Sequence, residues 1–210
     1  MATFLRDLSY RYQWLYDSIS RLAALTVGGE ARFRQLALQG LTIEPETTVL
    51  DLCCGSGQTT AFLVARSHHV TGLDASPLSI QRAQRNVPDA EYVQAFAEEI
   101  PLANNTFDLV HTSAAMHEME ADQLKQILQE VYRVLKPGGY FAMVDFHAPT
   151  NPLFSPGLAV FFWLFETKTA WQLIQTNLSD VMTNIGFTNC DRTLYAGGSL
   201  QVIQAQKPRA

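Results

Sequence analysis

The stretch from Thr48 to Ala65 limits the fold more than any other part of the chain. An aliphatic run, Val49-Leu50-Asp51-Leu52, passes through Cys53-Cys54-Gly55-Ser56-Gly57 and restarts as Thr59-Thr60-Ala61-Phe62-Leu63-Val64-Ala65. The first part has the composition of a buried strand, and the last has the apolar spacing of a helix. A strand that turns tightly into a helix is the repeating unit of an open α/β sheet. Gly55 and Gly57 suit the turn because the backbone must bend sharply there, and because a ligand must come close to atoms that a Cβ would shield.

The residues around the turn narrow the ligand. A dinucleotide fingerprint needs a third glycine where Thr60 stands, and a P-loop needs Lys-Ser/Thr after its glycines. Neither is present. Asp51 lies at the strand end, four residues before Gly55. A carboxylate there suits a ligand carrying an ammonium or a sulfonium better than it suits a pyrophosphate. S-adenosylmethionine is therefore preferred to a nicotinamide cofactor. His69-Val70-Thr71-Gly72-Leu73-Asp74 reads as a second strand ending in an acid, 17 residues beyond Gly57. That is close to the ~20-residue offset at which a carboxylate accepts hydrogen bonds from ribose hydroxyls. Alone, Asp74 would read as an ordinary loop residue; with Asp51 and the glycines it reads as part of a cofactor site.

Val49-Leu50-Asp51-Leu52-Cys53-Cys54-Gly55-Ser56-Gly57 resembles the first motif of the class I S-adenosylmethionine-dependent methyltransferases, and later landmarks follow in that family's order from about Thr47 to Asp145. The resemblance implies a Rossmann-like, doubly wound, mostly parallel α/β sheet of seven strands, with an antiparallel last strand and a helical N-terminal cover. It also implies a cofactor set of Tyr16, Asp51, Cys53, Gly55, Gly57, Asp74, Ala75, Ala97, Glu98, Thr112 and Ser113. Two positions depart from the family. Glycine is common where Cys53 stands, and an aspartate that reads adenine usually stands at Phe96. Adenine then meets an aromatic surface and the backbone around Ala97, or Phe96 points into the core.

With 210 residues the chain is long enough for one complete core, and a single domain is expected. Within it, residues 1–42 read as a helical cover or lid, 43–148 as the cofactor-binding core, and 149–210 as an acceptor-side segment with the closing strands. Helical spacing before and after Val27-Gly28-Gly29 marks the cover. Tyr16-Asp17 followed by Arg32-Phe33-Arg34 is similar to the opening region of the ubiquinone/menaquinone biosynthesis C-methyltransferases. Further strands are expected at Glu91–Phe96, Thr106–Ser113 and Tyr140–Phe146, with a long helix from Leu124 stopping at Lys136-Pro137-Gly138-Gly139. Leu158–Phe165 is apolar throughout, either a buried helix or a wall of the acceptor pocket that also touches a bilayer. Trp171–Ile185 reads as a helix, followed by two strands, the second over Ser199–Ala205.

A net charge of −5 gives no electrostatic footprint for nucleic acid. Three cysteines without metal-ligand spacing read as buried thiols, and no metal site is expected. Without a secretory leader or a long apolar span, a cytoplasmic enzyme is expected.

Methyl transfer from a sulfonium is a displacement in which positioning dominates, and a phenolic acceptor additionally needs a proton acceptor. His117, Glu118 and His147, just past the ends of strands four and five, are the candidate catalytic residues. A lone histidine is more often structural. The chain departs from the quinone C-methyltransferases at Ala115-Met116-His117-Glu118, where those enzymes carry glycine, leucine, arginine and asparagine. A small lipophilic acceptor, with a quinol or phenol as first candidate, follows from the resemblance. The alternatives are a module that binds the cofactor without turnover, and a nicotinamide oxidoreductase, against which Thr60 argues.

Overall fold

The computed structural model describes residues 24–209. Tyr16 and the helical pattern ahead of Ala24 lie outside the described residues. The cover enters as a short helix α1 (Glu30–Gln35) running into a 3₁₀ turn at Leu36–Leu38. Then β1 (Thr48–Leu52), α2 (Thr60–Val64), β2 (His69–Asp74), α3 (Pro77–Asn86), β3 (Glu91–Gln94) and β4 (Phe107–Ser113) alternate. After α4 (Ala121–Val134) and β5 (Leu135–Phe146) come α5 (Ser155–Phe165), α6 (Lys168–Leu173) and α7 (Leu178–Ile185), and the chain closes with β6 (Thr188–Tyr195) and β7 (Leu200–Gln206).

The seven strands form one sheet in the order β3-β2-β1-β4-β5-β7-β6. Strands β1 to β5 pair in parallel, and β7 inserts antiparallel between β5 and β6. The expected doubly wound sheet with an antiparallel last strand is the one found. Strand order reverses at β1, which pairs β2 on one side and β4 on the other. Ligands of open α/β sheets bind in the crevice that such a reversal leaves beyond the carboxyl ends of the strands.

Side chains of a strand alternate between faces, so each strand feeds two cores. Leu50, Leu52, Val110, Phe141 and Met143 pack with Ile127, Leu128 and Val131 of α4 and Met182 of α7. Val49, Leu109, Ala142 and Val144 pack on the opposite face with Leu36, Ala37 and Leu38 of the cover and Leu63 of α2. At the far end of the sheet from the crevice, Asp108 accepts hydrogen bonds from Thr48 N (2.9 Å), Thr48 Oγ1 (2.7 Å) and Lys136 Nζ (2.8 Å). Partial burial pushes that carboxyl up, but Lys136 and Thr48 outweigh it and hold it below the usual range. Asp108 is a structural clamp.

Several element boundaries differ from the sequence expectation. Strand β5 already starts at Leu135, and the glycine pair is absorbed as an irregularity where the β4 register shifts between Phe107 and Leu109. Strand β3 stops at Gln94, so Phe96 lies beyond it. The helix expected over Trp171–Ile185 is two helices. Thr176 Oγ1 donates back to Gln172 O (2.9 Å) and Asn177 turns to an extended conformation, which ends one ladder before the next begins. No helix among the described residues is long and apolar enough to cross a membrane.

Candidate active site

The carboxyl ends of β1, β2 and β4 bring the cofactor-side residues together. Cys53 has a left-handed backbone (φ +58°), as do Gly55 (φ +57°) and Gly57 (φ +87°). A non-glycine residue pays a steric penalty there, of roughly 1–2 kcal/mol. Gly57 has a second constraint, since a Cβ would lie 3.2 Å from Val87 Cγ2 and 3.5 Å from Ala83 Cα, so the turn closes onto α3.

Asp74 fixes the turn from β2. Its Oδ2 accepts the Gly55 N–H (2.9 Å) and its Oδ1 accepts the Ser76 N–H (2.9 Å), so one carboxylate ties the glycine turn to the cap of α3. Each oxygen keeps a second lone pair for a ligand hydroxyl. Ala75 beside it is exposed. Across the crevice Ala97 is buried, Glu98 accepts from Gln123 Nε2 (2.5 Å), and Phe96 is 66% exposed. Phe96 does not point into the core.

Asp51 differs from its expected role of facing the ligand directly. It is buried, with Thr60 Oγ1 donating to Oδ2 (2.6 Å) and His111 Nδ1 within 3.0 Å of Oδ1. Each of its oxygens already has one protein donor. His111 lies 60 residues away in sequence, and nothing in the spacing marks this partnership.

Whether this crevice suits a cationic adenosyl cofactor can be tested on its charges and on its unsatisfied atoms. Burial pushes the Cys53 thiol up, and the charges of Asp74, Asp51, Glu118 and Glu98 push it further. Four carboxylates thus concentrate negative potential at the turn, complementary to a sulfonium and an ammonium. At the end of β4, His111 Nε2, Thr112 Oγ1 and Ser113 Oγ are buried without a hydrogen-bond partner among the described residues. Native proteins seldom leave buried polar atoms unpaired, and three in succession at a sheet's carboxyl end suit a bound polar ligand. The residues fit the cofactor.

Comparison with known proteins agrees. A methyltransferase-domain family model matches residues 49–139. An uncharacterized methyltransferase of Synechocystis sp. is 57% identical over 98% of this chain and 97% of its own. The chain belongs to the class I S-adenosylmethionine-dependent methyltransferases. Within this family it is quinone-methyltransferase-like: a 2-phytyl-1,4-naphtoquinone methyltransferase of Thermosynechococcus vestitus is 34% identical, covering 98% of this chain and all of the other. Among solved structures, an S-adenosylmethionine-dependent methyltransferase from Mesorhizobium loti shares the fold, with a TM-score of 0.65 and 20% identity over 85% of this chain and 98% of the other. This methyltransferase uses S-adenosylmethionine, which when bound supplies an electrophilic methyl group on sulfur.

Past the carboxyl ends of β4 and β5, the structure distinguishes the three candidate catalytic residues. His117 lies in a 3₁₀ turn (Met116–Glu118) and is buried. Asp145, at the end of β5, accepts His117 Nδ1–H (2.7 Å) and the backbone N–H groups of Met116 (2.8 Å), His117 (3.2 Å) and Phe146 (2.8 Å). On the other side of the ring, Nε2 is 3.5 Å from Glu166 Oε2, in the linker between α5 and α6. Burial alone would lower the pKa of His117, but the charge and hydrogen bond of Asp145, then Glu166 and Glu118, raise it to about 9. At neutral pH the ring is an imidazolium held between carboxylates. A ring in that state is a poor proton acceptor, unlike the part expected of it.

His147 is also tied. Its Nδ1–H points at two carbonyl oxygens, Ala148 O (2.7 Å) and Gly198 O (2.9 Å), and its backbone N–H donates to Ser199 O (3.0 Å). These bonds fasten the end of β5 to the turn before β7. Glu118 is the one candidate whose charge reaches both the cofactor turn at Cys53 and the acceptor side at His117.

Asp145 and Glu166 were not picked out by sequence reasoning. Their role depends on a 28-residue loop closure and on where α5 ends, neither of which leaves a local pattern.

Proposed function

We propose that this methyltransferase acts on a small lipophilic phenol or quinol that enters along an aromatic acceptor wall. The carrying observation is the continuity of that wall. Phe146 continues from β5 and sits 4.7 Å edge-on to His117, and its ring packs 5.7 Å from Phe161 and 5.0 Å from Phe162 of α5, with Trp171 of α6 5.1 Å beyond Phe162. Helix α5 buries Phe162 completely yet leaves Val160 and Trp163 exposed, at 56% and 60%. With Leu153 and Phe154 just ahead of it, the outer side of this wall is apolar. An apolar acceptor suits the inner side, and a bilayer surface carrying that acceptor suits the outer one. The naphthoquinone substrate named for the relative of 34% identity supports the same class.

In this reading Asp51, Cys53, Gly55, Gly57, Asp74, Ala75, Ala97, Glu98, Thr112 and Ser113 hold the cofactor. Residues 43–148 form the cofactor-binding core, and the segment from 149 onward forms the acceptor wall. Glu118 lies where a carboxylate can take the acceptor's hydroxyl proton, leaving the ring electron-rich for attack on the methyl carbon. His117 is a positioning residue. Its cation holds Asp145 and Glu166, and through them the end of β5 and the acceptor wall. Positioning of this kind can supply ~7–11 kcal/mol of the barrier in favourable cases.

The test uses S-adenosylmethionine with a labelled methyl group. Reduced 2-phytyl-1,4-naphthoquinone in phosphatidylcholine vesicles is compared with catechol in solution. Transfer to the quinol at a far higher rate is the expected result. Transfer to catechol alone, or to neither with the cofactor bound, would exclude the lipophilic reading.

A further inference from the structure

Asp51 and His111 face each other across β1 and β4 as register partners, on the sheet face covered by α2 and the 24–38 segment. Their contact fixes the tautomer of the imidazole. A carboxylate can only accept, so Nδ1 carries the hydrogen given to Asp51 Oδ1. In a neutral ring Nε2 is then a bare acceptor. His111 is 0% exposed and Nε2 has no partner among the described residues; two residues on, at the crevice and on the same face, Ser113 Oγ is buried and unpartnered among them as well. Asp51 itself is buried and accepts from the Thr60 hydroxyl and His111 Nδ1–H. The site therefore combines a buried negative charge, a bare acceptor aligned with it and a second open hydroxyl, immediately behind the glycine turn. A primary ammonium satisfies all three features. It carries positive charge and several N–H donors, and charge-assisted hydrogen bonds are the strong ones.

We propose that His111 Nε2 accepts a hydrogen bond from the α-ammonium group of bound S-adenosylmethionine. Asp51 acts through the ring, holding the tautomer and supplying the counter-charge. Asp51 thus serves the cation that its place in sequence suggests, at one residue's remove. The inference rests on the cofactor, not on the acceptor proposed above.

The test exploits two stable compounds that share the adenosine thioether. S-adenosylhomocysteine carries the amino-acid end, and 5′-methylthioadenosine lacks it. Their affinities are measured by calorimetry on the wild-type chain, on His111→Asn and on His111→Gln. Asparagine keeps an N–H for Asp51 where Nδ1 was and removes Nε2, whereas glutamine places an amide oxygen near the Nε2 position. His111→Asn is expected to weaken S-adenosylhomocysteine about 10- to 100-fold, as loss of a hydrogen bond to a charged group does, and methylthioadenosine by less than about twofold. His111→Gln should recover part of the loss. Equal weakening of both compounds would mean a purely structural role and would overturn the proposal, as would unchanged affinity for S-adenosylhomocysteine. Failure of the wild-type chain to bind either compound would instead remove the cofactor assignment, and this inference with it.

Discussion

Raising the pH should destabilise this enzyme through His117, and the size of the effect follows from its surroundings. The ring is buried between Asp145 and Glu166, and its pKa rises from 6.5 to about 9. The folded state therefore holds a proton that the unfolded state has released between these two values. Stability from the pair is complete below about pH 6.5 and is lost as pH climbs through about 9. A shift of this size corresponds to about 3 kcal/mol. Roughly half of that should remain at pH 8, by the same linkage relation. Against a total of about 5–15 kcal/mol for a domain, the loss is large enough to measure. Urea unfolding at pH 6, 7, 8 and 9, on the wild-type chain and on His117→Asn, isolates the effect. Asparagine can donate to Asp145 but never carries the charge. The stability difference between the two proteins should shrink steadily with pH and approach a plateau above pH 9. A difference that stays flat, or widens as pH rises, would refute the reasoning, because the ring would then be neutral in the folded enzyme.

Other substitutions probe the remaining parts of the site. Thr60→Val keeps the shape but strips Asp51 of one of its two donors inside the core, and should cost about 1–3 kcal/mol in urea unfolding. Asp145→Asn leaves His117 with Glu166 alone as a charged partner and weakens four hydrogen bonds at the end of β5, so a loss of about 3–5 kcal/mol is expected from the same assay. Phe96 is mostly exposed, so Phe96→Ala should leave the melting temperature nearly unchanged while weakening S-adenosylmethionine in a calorimetric titration. Trp163→Glu should also leave stability within about 0.5 kcal/mol, as exposed positions do. It should lower the rate on quinol in vesicles and not on a detergent-dispersed short-chain analogue.

The parts of this molecule that could be read from sequence are those written in local patterns. Strand β1, the glycine turn and α2 are contiguous, so period and turn chemistry placed them, and the family's order of landmarks then supplied the sheet. The place of Asp74 beside the turn was legible because an acid at a strand end has a fixed offset from the glycines, and its carboxylate meets Gly55 N. Long-range partners were not legible. Asp51 with His111, and His117 with Asp145, are brought together by strand order, across separations of 60 and 28 residues. The apolar run at Leu158–Phe165 left two readings open because composition alone does not say which side of a helix is covered. The structure decides against a buried helix, since Val160 and Trp163 are exposed while Phe162 is enclosed. Boundaries failed where a ladder tolerated irregularity, as at Gly138-Gly139, whose turn signal is absorbed within β5.

The two aspartate–histidine pairs show how one pairing of residues is put to two uses. Each couples a buried carboxylate to Nδ1 of a buried ring, at 3.0 Å for Asp51–His111 and 2.7 Å for Asp145–His117. What differs is the far nitrogen. For His117 that side is met by Glu166, a second carboxylate, so the ring gains by carrying a proton and becomes a fixed cation that ties structure together. For His111 the far nitrogen has no hydrogen-bond partner among the described residues, and it is the atom assigned above to the ammonium of the cofactor. Exchanging those surroundings should exchange the roles. Glu166→Leu removes the acid on the far side of His117 and should bring the ring's pKa down from about 9, in an NMR titration of its Cε1 proton. The Cε1 resonance of His111 should be untouched by that substitution and should respond to S-adenosylhomocysteine. If Glu166→Leu leaves the titration of His117 where it was, Asp145 alone holds the proton and the contrast between the two pairs must lie elsewhere.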